Sequence, residues 1–406
     1  MLFMCKCVYV CMLCGLLNCS CNMAKSNLYS DRGFAIDIDN AQQMEKEFFS
    51  SIFKNVGCIV LETTDNSLLN RVDRIAFLDD YLYVLERGRG LFLFNKSGRF
   101  IRKIGGKGVG PGEYMRPSDL TVDTIGKKIY LLDSQAQTVL RYNMNGEYEN
   151  SVKLKNSKTI SNYIQYFNGE LYTDLYSFEN SDESCLLSKT DINTGNRIAL
   201  YLRASQHNKG WNELFFTEQN YFISSLIDTP KFMHLFMDTI FGIGKEGPMP
   251  YITLQSKNLV TKEYMISQRE KGCDASKIYD GLHSAGRIYN IAGFFESDKY
   301  IHFKYNFNSK LYTVLHKKDM DSTFIYQRMV NDLLYSDNSK NMLVSKFVAY
   351  DKDRGYTIEM NTDLSKEYFL ENLRNNNINC NMKGAEGLKM LTEDSNPVIV
   401  YYEFKQ

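Results

Sequence analysis

The sequence lacks most features of disordered, membrane-spanning or nucleic-acid-binding chains. Its 406 residues include only six prolines and one tryptophan, and it has no low-complexity tract, so we expect most of the chain to be ordered. Beyond the first twenty residues, no apolar run approaches the ~20 residues that a membrane-spanning helix needs. Lys plus Arg and Asp plus Glu are equal at 48 each. A formal net charge of zero gives no electrostatic reason to expect nucleic acid or an anionic membrane surface as partner.

The cysteines do not form a metal-binding or disulfide pattern in the body of the chain. Six of the ten lie in the first 21 residues, and the other four are scattered: Cys58, Cys185, Cys273 and Cys380. None of these four belongs to a CxxC pair or has a histidine at ligand spacing, which argues against a zinc site. We expect single, mostly buried thiols and predict no metal site and no cofactor.

Residues 1–21 have the pattern of an export signal. Lys6 precedes the apolar run 8–17, which is too short to span a membrane but suits a signal-peptide core. Leu16 stands three residues before Cys19, an arrangement that resembles a bacterial lipoprotein signal. We favour Cys19 as the lipidated residue, keep Cys21 as the alternative, and keep an ordinary cleaved signal peptide as the other interpretation. Residues 22–40 then form a tether, and the expected location is the cell envelope, with the protein anchored by lipid in the outer membrane, on its periplasmic or surface-exposed side.

The body of the chain contains a repeat of four short strands. Aromatic residues, which favour strands, make up 13% of the sequence. Residues 71–104 and 119–154 each show four strand patterns separated by turn residues, and Tyr83 and Tyr130, at equivalent places, lie 47 residues apart. Four strands recurring every ~40–50 residues are typical of a β-propeller blade.

Further copies complete a ring of six. We predict blades three to five over 160–202, 221–254 and 288–326, and three strands of a sixth over 345–404. The strand Cys58–Thr63 is predicted to close the sixth blade, which leaves the ring without an open edge. We also predict an amphipathic helix over 41–55, and a second over Leu364–Asn375 capped by Thr362 or Asp363. The predicted fold is an all-β, six-bladed propeller over 41–406, with a few short peripheral helices.

The glycine-rich stretch 105–117, between the first two blades, is the first candidate for a ligand site. In a four-stranded blade, this connection and the loops at 87–90 and 134–137 emerge on the same face. The charged residues that we expect there as neighbours and ligand-binding candidates are Arg87, Arg89, Glu113, Arg116 and Asp133, with Glu86 beside them. The alternative is that the glycines only permit a tight turn and the charges form solvated ion pairs of little net worth.

Catalytic motifs are scarce. His302 and His316 are predicted on neighbouring strands of the fifth blade, and two channel-facing histidines could contribute to a metal site. No pattern supplies the further ligands, so we interpret both as ordinary strand histidines. The leading hypothesis is a monomeric, non-enzymatic module that binds a protein, peptide or glycan. The alternative is a propeller enzyme, a metal-dependent lyase or hydrolase or a glycan-active enzyme, with its site at the channel mouth.

The repeat also resembles a known family. The segments Ile104–Tyr114, Ile129–Ser134 and Val139–Asn143 look like the NHL-type repeat, and the ending at 396–405 is similar to that of six-bladed β-propeller lipoproteins from Bacteroides-type bacteria. The resemblance is specific over 58–155, looser from 156 to 360, and specific again at the C-terminus. It implies an NHL- or TolB-like propeller that is secreted and lipid-anchored, and no catalytic residue.

Overall fold

The computed structural model describes residues 33–155, 158–177, 184–211, 221–223, 229–272, 275–337, 346–351 and 353–405. Six small sheets stand in a ring, with their first strands lining a central channel. This arrangement confirms the predicted six-bladed, all-β propeller. The predicted leader with Cys19 and Cys21, and Cys273, lie outside the described residues.

Blades 1 to 3 follow one another along the chain, each as a four-stranded antiparallel meander. Blade 1 consists of Arg74–Leu78, Tyr81–Glu86, Gly90–Asn95 and Phe100–Ile104. Blade 2 consists of Pro117–Asp123, Lys128–Asp133, Thr138–Asn143 and Tyr148–Lys153. Blade 3 consists of Ile164–Phe167, Glu170–Asp174, Cys185–Asp191 and Arg197–Arg203. The connections contain two additional pairs of two-residue strands. Gly106–Lys107 pairs with Glu113–Tyr114, and Thr159–Ile160 pairs with Tyr176–Ser177.

Blades 4 to 6 combine strands from both ends of the chain. Blade 4 consists of Phe222–Ile223, Lys231–Phe232, Thr239–Gly244 and Gly247–Gln255, with Phe34–Asp37 added in parallel at its outer edge. Blade 5 consists of Tyr289–Glu296, Tyr300–Phe307, Lys310–Lys317 and Ser322–Val330, with Gln42–Phe48 added in parallel. Blade 6 consists of Phe347–Tyr350, Arg354–Glu359, Val398–Phe404 and Phe53–Val60.

Burial explains the strand patterns in the sequence. The second strand of blade 1 is buried along nearly its whole length, because neighbouring blades cover both of its faces. It therefore has a continuous apolar run rather than an alternating pattern. The fourth strand of blade 2, Tyr148–Lys153, lies at the outer rim and is exposed at most positions. The core consists of apolar layers between adjacent blades, one of which joins blades 1 and 2 through Tyr83 and Tyr114.

The predicted helix over 41–55 is wrong. Residues 42–48 form the extra strand of blade 5, and only Phe49–Ile52 is helical. Met44 is 39% exposed, so the apparent apolar stripe does not face the core. The outer strand of blade 5 offers unpaired backbone groups, and pairing with them satisfies the backbone of this segment more fully than a short isolated helix would. Phe49 and Phe53 are buried where the chain crosses from blade 5 to blade 6.

The ring is closed by strand Phe53–Val60, which pairs antiparallel with Val398–Phe404. It begins five residues before the predicted segment 58–63 and ends at Val60. Two glycines at positive φ let neighbouring turns approach it closely. A Cβ on Gly98 would lie 2.1 Å from the Val60 carbonyl oxygen, and one on Gly384 would lie 2.0 Å from the Cys58 carbonyl oxygen.

In the described ranges, helices are few and peripheral. They are Phe49–Ile52, Ala204–His207, Lys262–Glu270, Ala275–Ser284, Asp363–Arg374 and the 3₁₀ segment Ala385–Met390. The helix predicted over 364–375 is confirmed, and Thr362 is its cap, since its hydroxyl accepts the Ser365 N–H at 3.2 Å. In the described part of the chain, no helix is long and apolar enough to cross a membrane.

The described cysteines differ in exposure. Cys58 is buried in the closing strand, Cys185 is half-buried and Cys380 is exposed. Burial raises the pKa of the Cys58 thiol to about 12, so this thiol is inert at neutral pH. The expectation of mostly buried thiols therefore fits Cys58 and is wrong for Cys380.

Candidate functional site

The channel has two faces with different connections. On one, which we call the loop face, the links between second and third strands and between successive blades emerge. On the other, the turn face, lie the tight turns between first and second and between third and fourth strands. Inner strands start at the loop face and end at the turn face, so the position of a residue along its inner strand fixes its depth in the channel.

Arg74, at the start of the inner strand of blade 1, reaches across the channel. Its Nε lies 3.4 Å from Asp119 Oδ1 of blade 2, and its Nη1 donates to the Phe222 carbonyl of blade 4 at 3.1 Å. The side chains of Arg74 and Asp119 are 6% and 0% exposed. The pair thus links three blades at a depth where water cannot screen it. Arg74 borders a cavity on each side and separates them.

A carboxylate ends the second strand of four blades. These residues are Glu86, Asp133, Asp174 and Glu359, all buried. In blades 1 to 3 the carboxylate accepts backbone N–H groups of the connection that enters its own blade. Asp133 accepts from Met115 and Arg116 at 2.6 and 3.2 Å, and Asp174 accepts from Asn162 and Tyr163 at 2.8 and 2.7 Å. Glu86 accepts from Asn70 N–H at 3.2 Å. In these blades the carboxylate fixes the start of the inner strand.

Asp174 differs from Asp133 in its second oxygen. Asp174 Oδ2 is buried without a hydrogen-bond partner among the described residues. Burial raises the pKa of Asp174 to about 8, and the Asn162 and Tyr163 N–H groups only partly oppose this shift. The side chain is therefore protonated at neutral pH. The Arg87 guanidinium lies nearby, 4.8 Å from the centroid of the Tyr163 ring.

Aromatic side chains and a neutral histidine continue this buried cluster towards blade 4. The Tyr176 hydroxyl donates to the Tyr221 hydroxyl at 2.7 Å, and the His234 ring lies 4.3 Å from the Tyr221 ring. Neither His234 nitrogen has a partner among the described residues, and burial lowers its pKa to about 3. Asp174 and His234 are both buried, and neither is among the described residues that line the two channel cavities.

The loops that carry the sequence-predicted site residues do meet. Gly88 N–H donates to the Pro117 carbonyl at 2.8 Å, and Ser134 N–H donates to the Arg116 carbonyl at 3.0 Å. The side chains, however, have separate surroundings. Arg87 donates to the Ser118 carbonyl at 2.8 Å, and Arg89 pairs with Glu86 at 2.9 Å.

The remaining predicted residues also serve local structure. Glu113 accepts the Gly110 N–H at 2.8 Å inside the glycine-rich connection, and Asp133 is taken up by backbone N–H groups. Arg116 is exposed. None of the five predicted ligand-binding residues lines either channel cavity.

The larger cavity opens on the turn face and has a volume of about 450 Å³. Five aromatic rings line it: Phe77, Tyr166, Phe167, Tyr350 and Tyr356. Five neutral polar side chains stand between them: Thr121, Thr124, Gln165, Asn168 and Thr229. Two described residues of the lining are charged. Arg74 is paired with Asp119, and Asp123 Oδ1 accepts the Ile125 and Gly126 N–H groups. The described lining is therefore aromatic and rich in neutral hydrogen-bonding groups, with one ion-paired arginine and one carboxylate held by backbone N–H groups.

The sequence contains a weak signal for the residues that were missed. Arg74 pairs across its sheet with Leu85, and Asp119 pairs with Leu132, at equivalent positions of two blades. Residues of opposite charge at the same place in two successive inner strands indicate a buried ionic pair. The turn-face cavity has no such signal, because its lining residues are separate aromatic and neutral side chains.

The strand histidines face opposite sides of blade 5. His316 pairs with Ile301, whereas His302 pairs with Leu315, so the two imidazoles lie on different faces of the sheet. His302 Nδ1 contacts the Gly293 carbonyl at 2.9 Å, and His316 Nδ1 contacts Thr323 Oγ1 at 3.1 Å. Within the described residues, no three His, Cys, Asp or Glu side chains lie close enough to hold a metal ion.

Fold and channel together define a six-bladed β-propeller with a ligand-sized cavity on the turn face. The chain belongs to the family described as Domain of unknown function (DUF4934), which it matches over residues 34–403. No curated protein matches it.

The crystal structures that are similar to the chain include two from Bacteroides species. A Bacteroides fragilis protein predicted to be exported is 20% identical, with a TM-score of 0.69, covering 92% of this chain and 100% of its own. A member of the DUF4221 family from Bacteroides vulgatus is 10% identical, with a TM-score of 0.47, covering 87% and 97%. The first similarity supports the fold.

Proposed function

We propose that the protein is an exported interaction module of the cell envelope that binds a neutral glycan in the turn-face cavity. The observation that carries the proposal is the cavity lining: aromatic rings alternate with neutral amide and hydroxyl groups around about 450 Å³. This volume lies within the range of small-molecule sites, roughly 300–1,000 Å³. Aromatic faces cover the apolar faces of a sugar ring, while amides and hydroxyls bind its hydroxyl groups. Because Arg74 is paired with Asp119 and Asp123 Oδ1 is held by backbone N–H groups, a neutral ligand is favoured over an ionic one.

Export is supported by the leader and by the similar Bacteroides fragilis protein that is predicted to be exported. We propose that Cys19 carries a lipid anchor. Metabolic labelling of cells with an alkyne fatty acid tests this: labelling should be lost in Cys19→Ala and retained in Cys21→Ala. The reverse pattern would assign the anchor to Cys21, and labelling of neither the parent protein nor the variants would show an unlipidated leader.

Glycan binding is tested with the purified protein on an array of neutral and charged oligosaccharides. Asn168→Gly removes a cavity-lining amide at a position whose φ of 50° glycine adopts freely. Asn193→Ala removes an exposed amide from another turn of the same blade, outside the cavity. We expect the parent protein to bind neutral glycans. Asn168→Gly should weaken this binding about tenfold, in line with the loss of one hydrogen bond. Asn193→Ala should leave the binding unchanged. Absence of binding to any neutral glycan, or equal effects of the two substitutions, would refute the proposal.

A further inference from the structure

A groove next to the turn-face cavity lies between blades 6 and 1. We call it the outer groove; it has a volume of about 970 Å³. Segment 58–60 of the closing strand, the turn 96–99 of blade 1 and side chains from 383–390 line it. Phe77 and Tyr356 line both the outer groove and the turn-face cavity, and their ring centroids are 4.9 Å apart. This aromatic pair is therefore the boundary that a ligand crosses between the two sites.

The outer groove has an apolar surface on which a sugar ring can pack. Ile59 and Val60 of the closing strand contribute to it, together with the Tyr401 ring. Met390 lines the groove as well and is 78% exposed, which is unusual for a large apolar side chain. Rings and aliphatic groups of this kind cover the apolar face of a sugar, as they do in the turn-face cavity.

Three cations line the outer groove without an ion pair among the described residues. They are Lys96, Arg99 and Lys383, and all three are exposed. Lys96 and Arg99 stand on either side of Gly98, and Lys383 directly precedes Gly384. These two glycines approach the carbonyl oxygens of the closing strand closely, so both cation-bearing segments are held against that strand. The three cationic side chains are thus gathered along one groove by backbone packing.

The other charged groups of the lining already have partners, with one exception. Glu62 accepts a backbone N–H at 2.8 Å, and Asp351 accepts two at 2.9 and 2.7 Å and a tyrosine hydroxyl at 3.1 Å. Arg354 pairs with Glu403 at 2.8 Å. Glu386 is the exception, because it lines the groove without a hydrogen bond or ion pair to any described residue. The described lining therefore offers more unused cationic donors than unused carboxylates.

We propose that the outer groove binds the acidic units of a uronate-containing oligosaccharide whose neutral units occupy the turn-face cavity. A uronate has both a ring with an apolar face and a carboxylate. The ring would pack on the apolar surface, and the carboxylate would accept charge-assisted hydrogen bonds from Lys96, Arg99 or Lys383. The inference rests on the proposed glycan binding and adds the class of glycan. An acidic peptide would also complement the cations, but the aromatic boundary shared with a neutral cavity favours a glycan.

The test is an array of uronate-containing oligosaccharides of different linkages, probed with the full chain. Each is placed beside its carboxyl-reduced counterpart, in which a neutral CH₂OH group replaces the carboxylate. The pair that binds best is then titrated by calorimetry. We expect the uronate form to bind at least about tenfold more tightly than its neutral counterpart, and this preference to shrink as sodium chloride is added.

The possible results separate this inference from the proposed function. Equal binding of the uronate and neutral forms would overturn the inference and leave neutral glycan binding intact. Binding of neither form would refute glycan binding itself and the inference with it. A glutamate-rich peptide is the acidic ligand without sugar rings. If it bound as tightly as the uronate form, the groove would recognise charge alone, and the inference would also be overturned.

Substitutions place the preference in the outer groove. The double variant Lys96→Gln with Arg99→Gln, and separately Lys383→Gln, change exposed side chains and should fold as the parent does. Each should weaken binding of the uronate form about tenfold and leave the neutral form unchanged. Lys245→Gln is the matched control, since Lys245 is exposed in the corresponding turn of blade 4, outside the groove. It should bind both forms as the parent does.

The cavity variant completes the comparison. Asn168→Gly acts in the turn-face cavity and should weaken the uronate and neutral forms alike. Unchanged uronate binding in both groove variants would overturn the inference. Equal weakening of the two forms by the groove variants would overturn it too, because the cations would then not recognise the carboxylate.

Discussion

The buried carboxyl of Asp174 should make the protein less stable as the pH rises. Asp174 holds its proton in the folded state up to a pKa of about 8, whereas the unfolded chain releases it near 3.8. Between these values the folded state binds more protons than the unfolded state, so the free energy of unfolding falls with increasing pH. The largest slope for one group is about 1.4 kcal/mol per pH unit, or roughly 2.7 kcal/mol from pH 5 to pH 7.

Asp174→Asn isolates this effect. The Asn oxygen still accepts the Asn162 and Tyr163 N–H groups, and the amide replaces Oδ2, which has no partner among the described residues. The variant cannot ionise. Relative to the parent, we expect the stability of the variant to increase from pH 5 to about pH 8 and the difference to level off above that pH. Urea unfolding of both proteins at each pH gives the difference, in which titrations shared by the two proteins cancel.

Asp133→Asn is the matched contrast, because Asp133 ends the second strand of blade 2 as Asp174 ends that of blade 3. Both Asp133 oxygens accept N–H groups, from Met115 on Oδ2 and from Arg116 on Oδ1. In Asp133→Asn the new NH2 group would face a backbone N–H group, so the variant should lose about 1–3 kcal/mol of unfolding free energy. Parallel pH curves for the parent and Asp174→Asn would refute the assignment of a protonated Asp174, as would stabilisation by both substitutions.

Two further predictions concern ring closure and the channel. The Asn396 side chain is 1% exposed and forms hydrogen bonds with the Leu69 N–H and two backbone carbonyls near the closing strand. Asn396→Ala should therefore lower the free energy of unfolding, measured with urea, by about 3 kcal/mol. The control Asn381→Ala, at an exposed position, should change it by less than about 0.5 kcal/mol. Arg74→Met leaves the buried Asp119 carboxylate without its guanidinium partner and should lower the free energy of unfolding by about 3–5 kcal/mol. Adding Asp119→Asn should recover part of that stability. A double variant that is no more stable than Arg74→Met would argue against the ion pair.

Much of the fold could be predicted because its signals are local. Turn residues and strand patterns recur at a blade-sized interval, and Tyr83 and Tyr130 occupy equivalent strands of successive blades. The strand at residues 42–48 has no comparable signal. Its partner strand lies at residues 322–330, far away in the sequence. The spacing of Met44 and Phe48 fits a helix as well as it fits an edge strand, so the local sequence does not distinguish the two.

The site was harder to predict for a related reason. Sequence topology correctly brings the loops of Arg87 and Asp133 to one face, but local hydrogen bonds decide where each side chain points. Asp133 faces backbone N–H groups rather than solvent, and Arg87 turns toward Ser118. The turn-face cavity joins single residues from several blades. Its lining therefore depends on ring geometry that no local pattern encodes.

The placement of the first strands has a consequence for how the chain folds. Residues 34–60 find their strand partners only at 252–255, 324–330 and 398–404. These residues are synthesised before blades 1 to 3, yet they must wait for the last blades before they can pair. Such distant pairings are slow to form. Blades 1 to 3 are built from neighbouring strands, so we expect them to assemble before the ring closes. The contacts of residues 53–60 then act mainly as a barrier to reopening, because interactions formed late in folding slow unfolding more than they speed folding.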